Sequence, residues 1–103
     1  MTTKAKICYG WTKNEIWITE DAYLVCYDGY PENIIPLLKR TVEGDIAGKY
    51  EHLEHINAYG AVDFIYYVEP CLNEIRCTIL EFDWKFYNKY SIDNYKVVKE
   101  LLL

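Results

Sequence analysis

Apolar and polar positions alternate along much of this chain, and the alternation breaks at a few punctuation points. Ala5, Ile7 and Tyr9 alternate with Lys6 and Cys8, a period of two that predicts a strand. Residues 10–14, Gly-Trp-Thr-Lys-Asn, supply turn chemistry. Residues 15–19 then alternate again, with Ile16 and Ile18 on one face and Trp17 on the other, so the two runs predict a hairpin. Glu20 and Asp21 make a short polar connection to a third run, residues 22–27, rich in aromatic and aliphatic types. Strands joined by such short loops predict an antiparallel meander.

The middle of the chain changes period. Pro36 suits a first helical turn, Leu37, Leu38 and Val42 share a face, and Gly44 is placed to stop a helix over 36–43. Ile46, Tyr50, Leu53 and Ile56 recur at helical spacing, which predicts a second helix over 46–57. Residues 61–69 return to a period of two, with Val62, Phe64, Tyr66 and Val68 on one face and Ile65 and Tyr67 on the other. Bulk on both faces predicts a central strand. Residues 74–82 read as a further strand and 83–90 as another. Ser91 is placed to cap a final helix carrying Ile92, Tyr95, Val98, Lys99 and Leu102 as its stripe. The expected architecture is a single α+β domain over residues 1–103. It has one antiparallel β-sheet of about five to six strands, with two or three helices packed on one face. A barrel-like closure is the alternative.

The stretch Tyr27-Asp28-Gly29-Tyr30-Pro31-Glu32 joins the third strand to the first helical segment. Gly29 can adopt φ > 0 without steric cost, Asp28 can accept bonds from the amides just ahead of it, and Pro31 holds Tyr30 extended. These residues make a rigid corner. Strand-end loops also carry sites, so Tyr27, Asp28, Gly29, Tyr30 and Pro31 are candidate binding residues around a groove at the strand's end. The stretch resembles a motif of small accessory proteins from phages, prophages and plasmids, in which an aromatic residue or histidine precedes Asp-Gly-Tyr-Pro and a helix follows. The resemblance extends to the Phe64-Ile65-Tyr66-Tyr67 run. This chain has Cys26-Tyr27 where a histidine–aromatic pair is expected, so no role passes through that histidine. The resemblance implies an accessory gene of a mobile element acting against host defence, and it supplies no activity.

Composition narrows the chemistry. The net charge of −5 disfavours direct contact with a nucleic-acid backbone, which needs clustered Lys and Arg, and it suits a basic protein surface instead. No apolar run reaches the length of a membrane span, and the first residues lack the apolar segment of a signal peptide, so the cytoplasm of a host cell is the expected compartment and no membrane partner is expected. Cys8, Cys26, Cys71 and Cys77 form no Cys-x-x-Cys pair. His52 and His55, three residues apart, would share a helical face but bring no third ligand, so no metal and no cofactor is expected. Aromatic residues make up 17% of the chain, more than one small core needs. That marks Trp11, Trp17, Tyr67 and Tyr87 as candidate exposed contact residues.

The function these features point to is a non-catalytic binding protein that inhibits a host antiviral component, such as a CRISPR–Cas effector, by protein–protein contact. The alternatives are a homo-oligomer that sequesters a small nucleotide signal in a pocket near Asp28, and a small hydrolase using Asp28.

Overall fold

The computed structural model describes residues 3–55, 60–83, 85 and 94–103. Its first strand, β1 (Ala5–Lys13), is longer than the alternation suggested and runs straight through Gly10. The reversal falls on Asn14 and Glu15, both at positive φ (52° and 66°), and β2 (Ile16–Val25) returns antiparallel. Two central residues at positive φ give the tight loop whose twist matches the flanking strands. The two short strands expected over 15–19 and 22–27 are therefore one. The polar pair between them sits at a β-bulge, where the register steps between Tyr9 and Gly10. Gly10 is required there: a Cβ on it would lie 1.9 Å from the Ile18 carbonyl oxygen.

Helix α1 (Pro31–Arg40) begins at Pro31, five residues earlier than expected, with Tyr30 as its extended N-cap. Pro31 needs no helical N–H partner in the first turn, whereas Pro36 lies inside the helix and deprives the Glu32 carbonyl of one. A second helix, α2 (Glu43–Lys49), is short. The chain leaves it at Tyr50 and forms β3 (Glu51–Leu53), which pairs antiparallel with β2 at Ala22–Leu24. The helix expected over 46–57 is thus a helical turn followed by an edge strand; residues 56–57 lie outside the described residues.

Strand β4 (Phe64–Cys71) is central, as its two heavy faces predict, and β5 (Glu74–Phe82) and β6 (Tyr95–Leu102) follow antiparallel. The tail expected to be a helix is a strand along its described length. The strand expected over 83–90 falls almost wholly outside the described residues. The sheet order is β3-β2-β1-β4-β5-β6. Every pairing is antiparallel except β1–β4, which is parallel because the chain crosses through both helices before re-entering beside β1.

The helices cover one face of this sheet. Ile34, Leu37 and Leu38 of α1 and Ile46 of α2 pack on Ala5, Ile7, Tyr9, Tyr23, Val25, Tyr66, Val68, Cys77 and Ile79. The opposite face gathers Cys8, Ala22, Leu24, Leu53, Ile65 and Leu80. Val62, expected to share a face with Phe64, Tyr66 and Val68, instead joins this second cluster from just before β4. The Tyr95 hydroxyl holds it there, accepting from Val62 N (3.0 Å) and donating to Val62 O (2.7 Å). Lys6 is buried on this side, and its Nζ donates to Gly60 O at 2.8 Å.

Two outcomes follow from this packing. Gly10→Ala should lower stability by more than about 2 kcal/mol, since backbone has to move to admit the methyl; a denaturation midpoint equal to wild type would contradict it. Burial pushes Cys8, Cys77, Tyr23 and Tyr67 up to about 12, and Tyr9 and Tyr66 further. The fold favours their neutral forms, so their contribution is complete below the ordinary values of 9.0 for a thiol and 10.0 for a phenol and is lost above them. Melting temperature should therefore hold to about pH 9 and fall steeply toward pH 12, as circular dichroism would show.

Candidate functional site

The corner after β2 is fixed from inside the protein. Gly29 N donates to Thr3 O (3.0 Å), and the buried Tyr66 hydroxyl donates to Gly29 O. A Cβ at Gly29 would lie 2.8 Å from the Ala5 Cβ, so the glycine is needed for close approach. The expected φ > 0 falls on Asp28 instead (57°). That conformation is tolerable for Asp and turns its carboxylate out to solvent. Asn33 Nδ2 approaches the Asp28 carbonyl at 3.4 Å.

Beside the corner lies an open groove of about 690 Å3, within the size range of small-ligand sites. One side is the end of β2 with Leu24, Cys26, Tyr27 and Asp28; the floor and near wall are α1; the far wall is the turn from α2 into β3. Its carboxylates are Asp28, Glu32 and Glu51, and its cations are Arg40 and Lys49, with the Lys49 Nζ 5.4 Å from the centre of the Tyr50 ring. Acidic residues cluster where α1 begins and Arg40 stands where it ends, which suits the helix dipole and also polarises the groove along its length. Tyr27, 69% exposed, stands at its mouth.

The structure divides the candidate residues. Tyr27 and Asp28 line the groove, while Gly29 is buried behind it. Tyr30 is exposed and Pro31 half-buried at the start of α1, with the Tyr30 ring 6.1 Å from Phe64. Trp11 is exposed at the far end of β1, opposite Ile18 and remote from the corner. Trp17 and Tyr67 are not free contact residues: they are half-buried and stacked on each other at 4.6 Å, closing the second face of the sheet. Tyr87 lies outside the described residues. No sequence pattern marks the wall formed by Lys49, Tyr50 and Glu51, because it exists only once β3 folds back onto β2.

A second polar cluster lies against the helix-covered face. The Tyr23 hydroxyl donates to Glu43 Oε2 (3.0 Å), and His52 Nε2 lies 3.0 Å from Asp21 Oδ1. The Tyr23 and His52 rings meet edge to face at 5.4 Å. Burial, and then the neighbouring carboxylates of Asp21 and Glu20, raise the Glu43 carboxyl above its ordinary value despite the bond from Tyr23. The cluster ties α2, β2 and β3 together behind the groove. Among the described residues no group of His, Cys, Asp and Glu is arranged to hold a metal ion. His52 sits in β3 and His55 in the bend after it, so they share no helical face.

Comparison with protein-family models, curated proteins and solved structures finds no match.

Because the fold favours protonated Glu43, its stabilising contribution is present at low pH and lost as pH rises through its raised value. Glu43→Gln keeps an acceptor for Tyr23 and does not ionise. The variant should gain melting temperature relative to wild type between pH 4 and pH 7; a difference independent of pH would rule this out.

Proposed function

We propose that this protein is an accessory binding protein of a mobile element, working in the host cytoplasm, and that it inhibits a host antiviral component such as a CRISPR–Cas effector by occupying part of its surface without catalysis. The observation that carries this reading is the corner itself. Tyr27, Asp28 and Glu32 place an exposed ring beside two carboxylates at the mouth of a groove held rigidly from the core. A partner's Arg or Lys would meet opposite charge and an aromatic face at the same place, and the net charge of −5 would favour approach to a basic surface. The motif resemblance supplies the biological setting.

A second reading draws on Arg40 and Lys49. Two cations in a groove that also holds Tyr27 and Tyr50 could retain the phosphate and ring of a small nucleotide, and a nucleotide-sequestering protein would act on signalling rather than on an effector.

Phage plating efficiency on a defence-bearing host separates these. Expression of the wild-type chain should restore plating. Asp28→Lys with Glu32→Lys should abolish the effect while leaving the circular dichroism spectrum unchanged. If Arg40→Glu alone abolishes it, and a nucleotide raises the melting temperature of wild type only, the second reading replaces the first. Plating unaffected by either variant would remove the groove from the function.

A further inference from the structure

We infer that β6 is the seam of a homodimer in which two copies join their sheets edge to edge. Among the described residues the two edges of the sheet differ sharply. β3 ends one side with three residues, among them the charged Glu51 and the Asp21-paired His52. β6 ends the other with eight residues and leaves Val97 (56%), Val98 (44%) and Leu102 (64%) exposed. A long edge with apolar side chains is a template for another strand.

The hydrogen-bond parity of β6 defines which groups that strand would meet. Bonded and non-bonded pairs alternate along an antiparallel ladder. Leu103 N donates to Ile75 O (2.8 Å), so the pairs Arg76–Leu102 and Thr78–Glu100 are non-bonded. At the other end Asp83 N donates to Asn94 O (2.8 Å) while Phe82 N turns to Asp63 O (3.0 Å), so Phe82–Tyr95 and Leu80–Val97 are non-bonded too. The backbone groups of Val97, Glu100 and Leu102 therefore point away from β5. Val98 is the extra residue of a bulge, since Ile79 faces Lys99 and the next residue, Leu80, faces Val97.

The bulge matches a second copy of the same strand. An unbulged strand laid on this edge would set one residue against Val98 and Lys99 together. A second copy, turned about a two-fold axis between Val98 and Lys99, sets two against two. Val97 then lies opposite Glu100 of the partner subunit, and each such pair exchanges both its hydrogen bonds. In this register Lys96, Lys99 and Glu100 stand opposite Leu101, Val98 and Val97, so no like charges are directly paired across the seam. The grooves, at the β2–β3 side of each sheet, stay open at opposite ends of the joined sheet, and the dimer presents two of them.

Sedimentation equilibrium of the full chain should show a concentration-dependent rise to twice 12.2 kDa. Val97→Pro removes an outward amide and none from the β5 ladder, and it should weaken dimerisation about tenfold or more while the variant remains folded. Hydrogen exchange on the unaltered chain gives a reading independent of that variant: the Val97 and Glu100 amides should slow as concentration rises, and the β3 amides should not. A monomer at millimolar concentration, a dimer equally tight in Val97→Pro, or protection appearing away from β6 would each overturn the assignment. So would a monomer whose β6 pairs only with the strand of another protein.

Discussion

The close approach of Gly29 to the start of β1 is the contact on which the rest of the molecule turns. No side chain fits between its Cα and Ala5, its amide is bound by Thr3, and its carbonyl takes the hydroxyl of Tyr66 from the middle of β4. One residue is thereby fixed to two adjacent strands that run parallel. From that fixed point the chain can only turn outward, so Asp28 takes the left-handed conformation and α1 starts at Pro31. The helix then lies over the face made by Ile7, Val25 and Tyr66. A buried phenol spent on a backbone carbonyl also satisfies a polar group that desolvation would otherwise penalise.

The sheet is closed differently on its two faces, and each closure has its own consequence. Helices cover one face with Ile34, Leu37, Leu38 and Ile46. On the other face the stacked Trp17 and Tyr67, together with Tyr95 holding Val62 by its backbone, complete a smaller cluster, and Lys6 is drawn in with its ammonium bound to Gly60 O. Burial lowers the Lys6 value, with Cys8 opposing it slightly. Among the described residues much of the aromatic content is thus structural, and the exposed aromatics are Trp11 at the hairpin end and Tyr27 and Tyr30 at the corner. Of these three, Tyr27 lines the groove.

That groove and the polar cluster behind it share their elements. α2 contributes Glu43 to the cluster and Lys49 to the groove, and β3 contributes His52 to one and Glu51 to the other. The bonds Tyr23–Glu43 and His52–Asp21 therefore brace the elements that carry the wall facing Asp28. Pro36 adds to the same surface by leaving the Glu32 carbonyl without its helical donor on a helix that lines the groove.

The sequence by itself determined the elements whose pattern is strong and local. Alternation at Ala5, Ile7 and Tyr9, and at Phe64, Tyr66 and Val68, marked β1 and β4 as core strands, because one or both faces had to be buried. The turn residues at 27–32 marked the corner. What it could not determine were the places where two patterns coincide or where a distant strand decides. Val98, Lys99 and Leu102 recur at helical spacing, yet they lie in a bulged strand because β5 offers an open ladder. Leu53 reads as the next turn of a helix, yet it pairs with Ala22 because the outer edge of β2 is satisfied that way. The parallel β1–β4 pair and the wall of Lys49, Tyr50 and Glu51 belong to the tertiary structure alone. Each depends on backbone hydrogen bonds between residues far apart in the chain, and backbone hydrogen bonding leaves no trace in side-chain order.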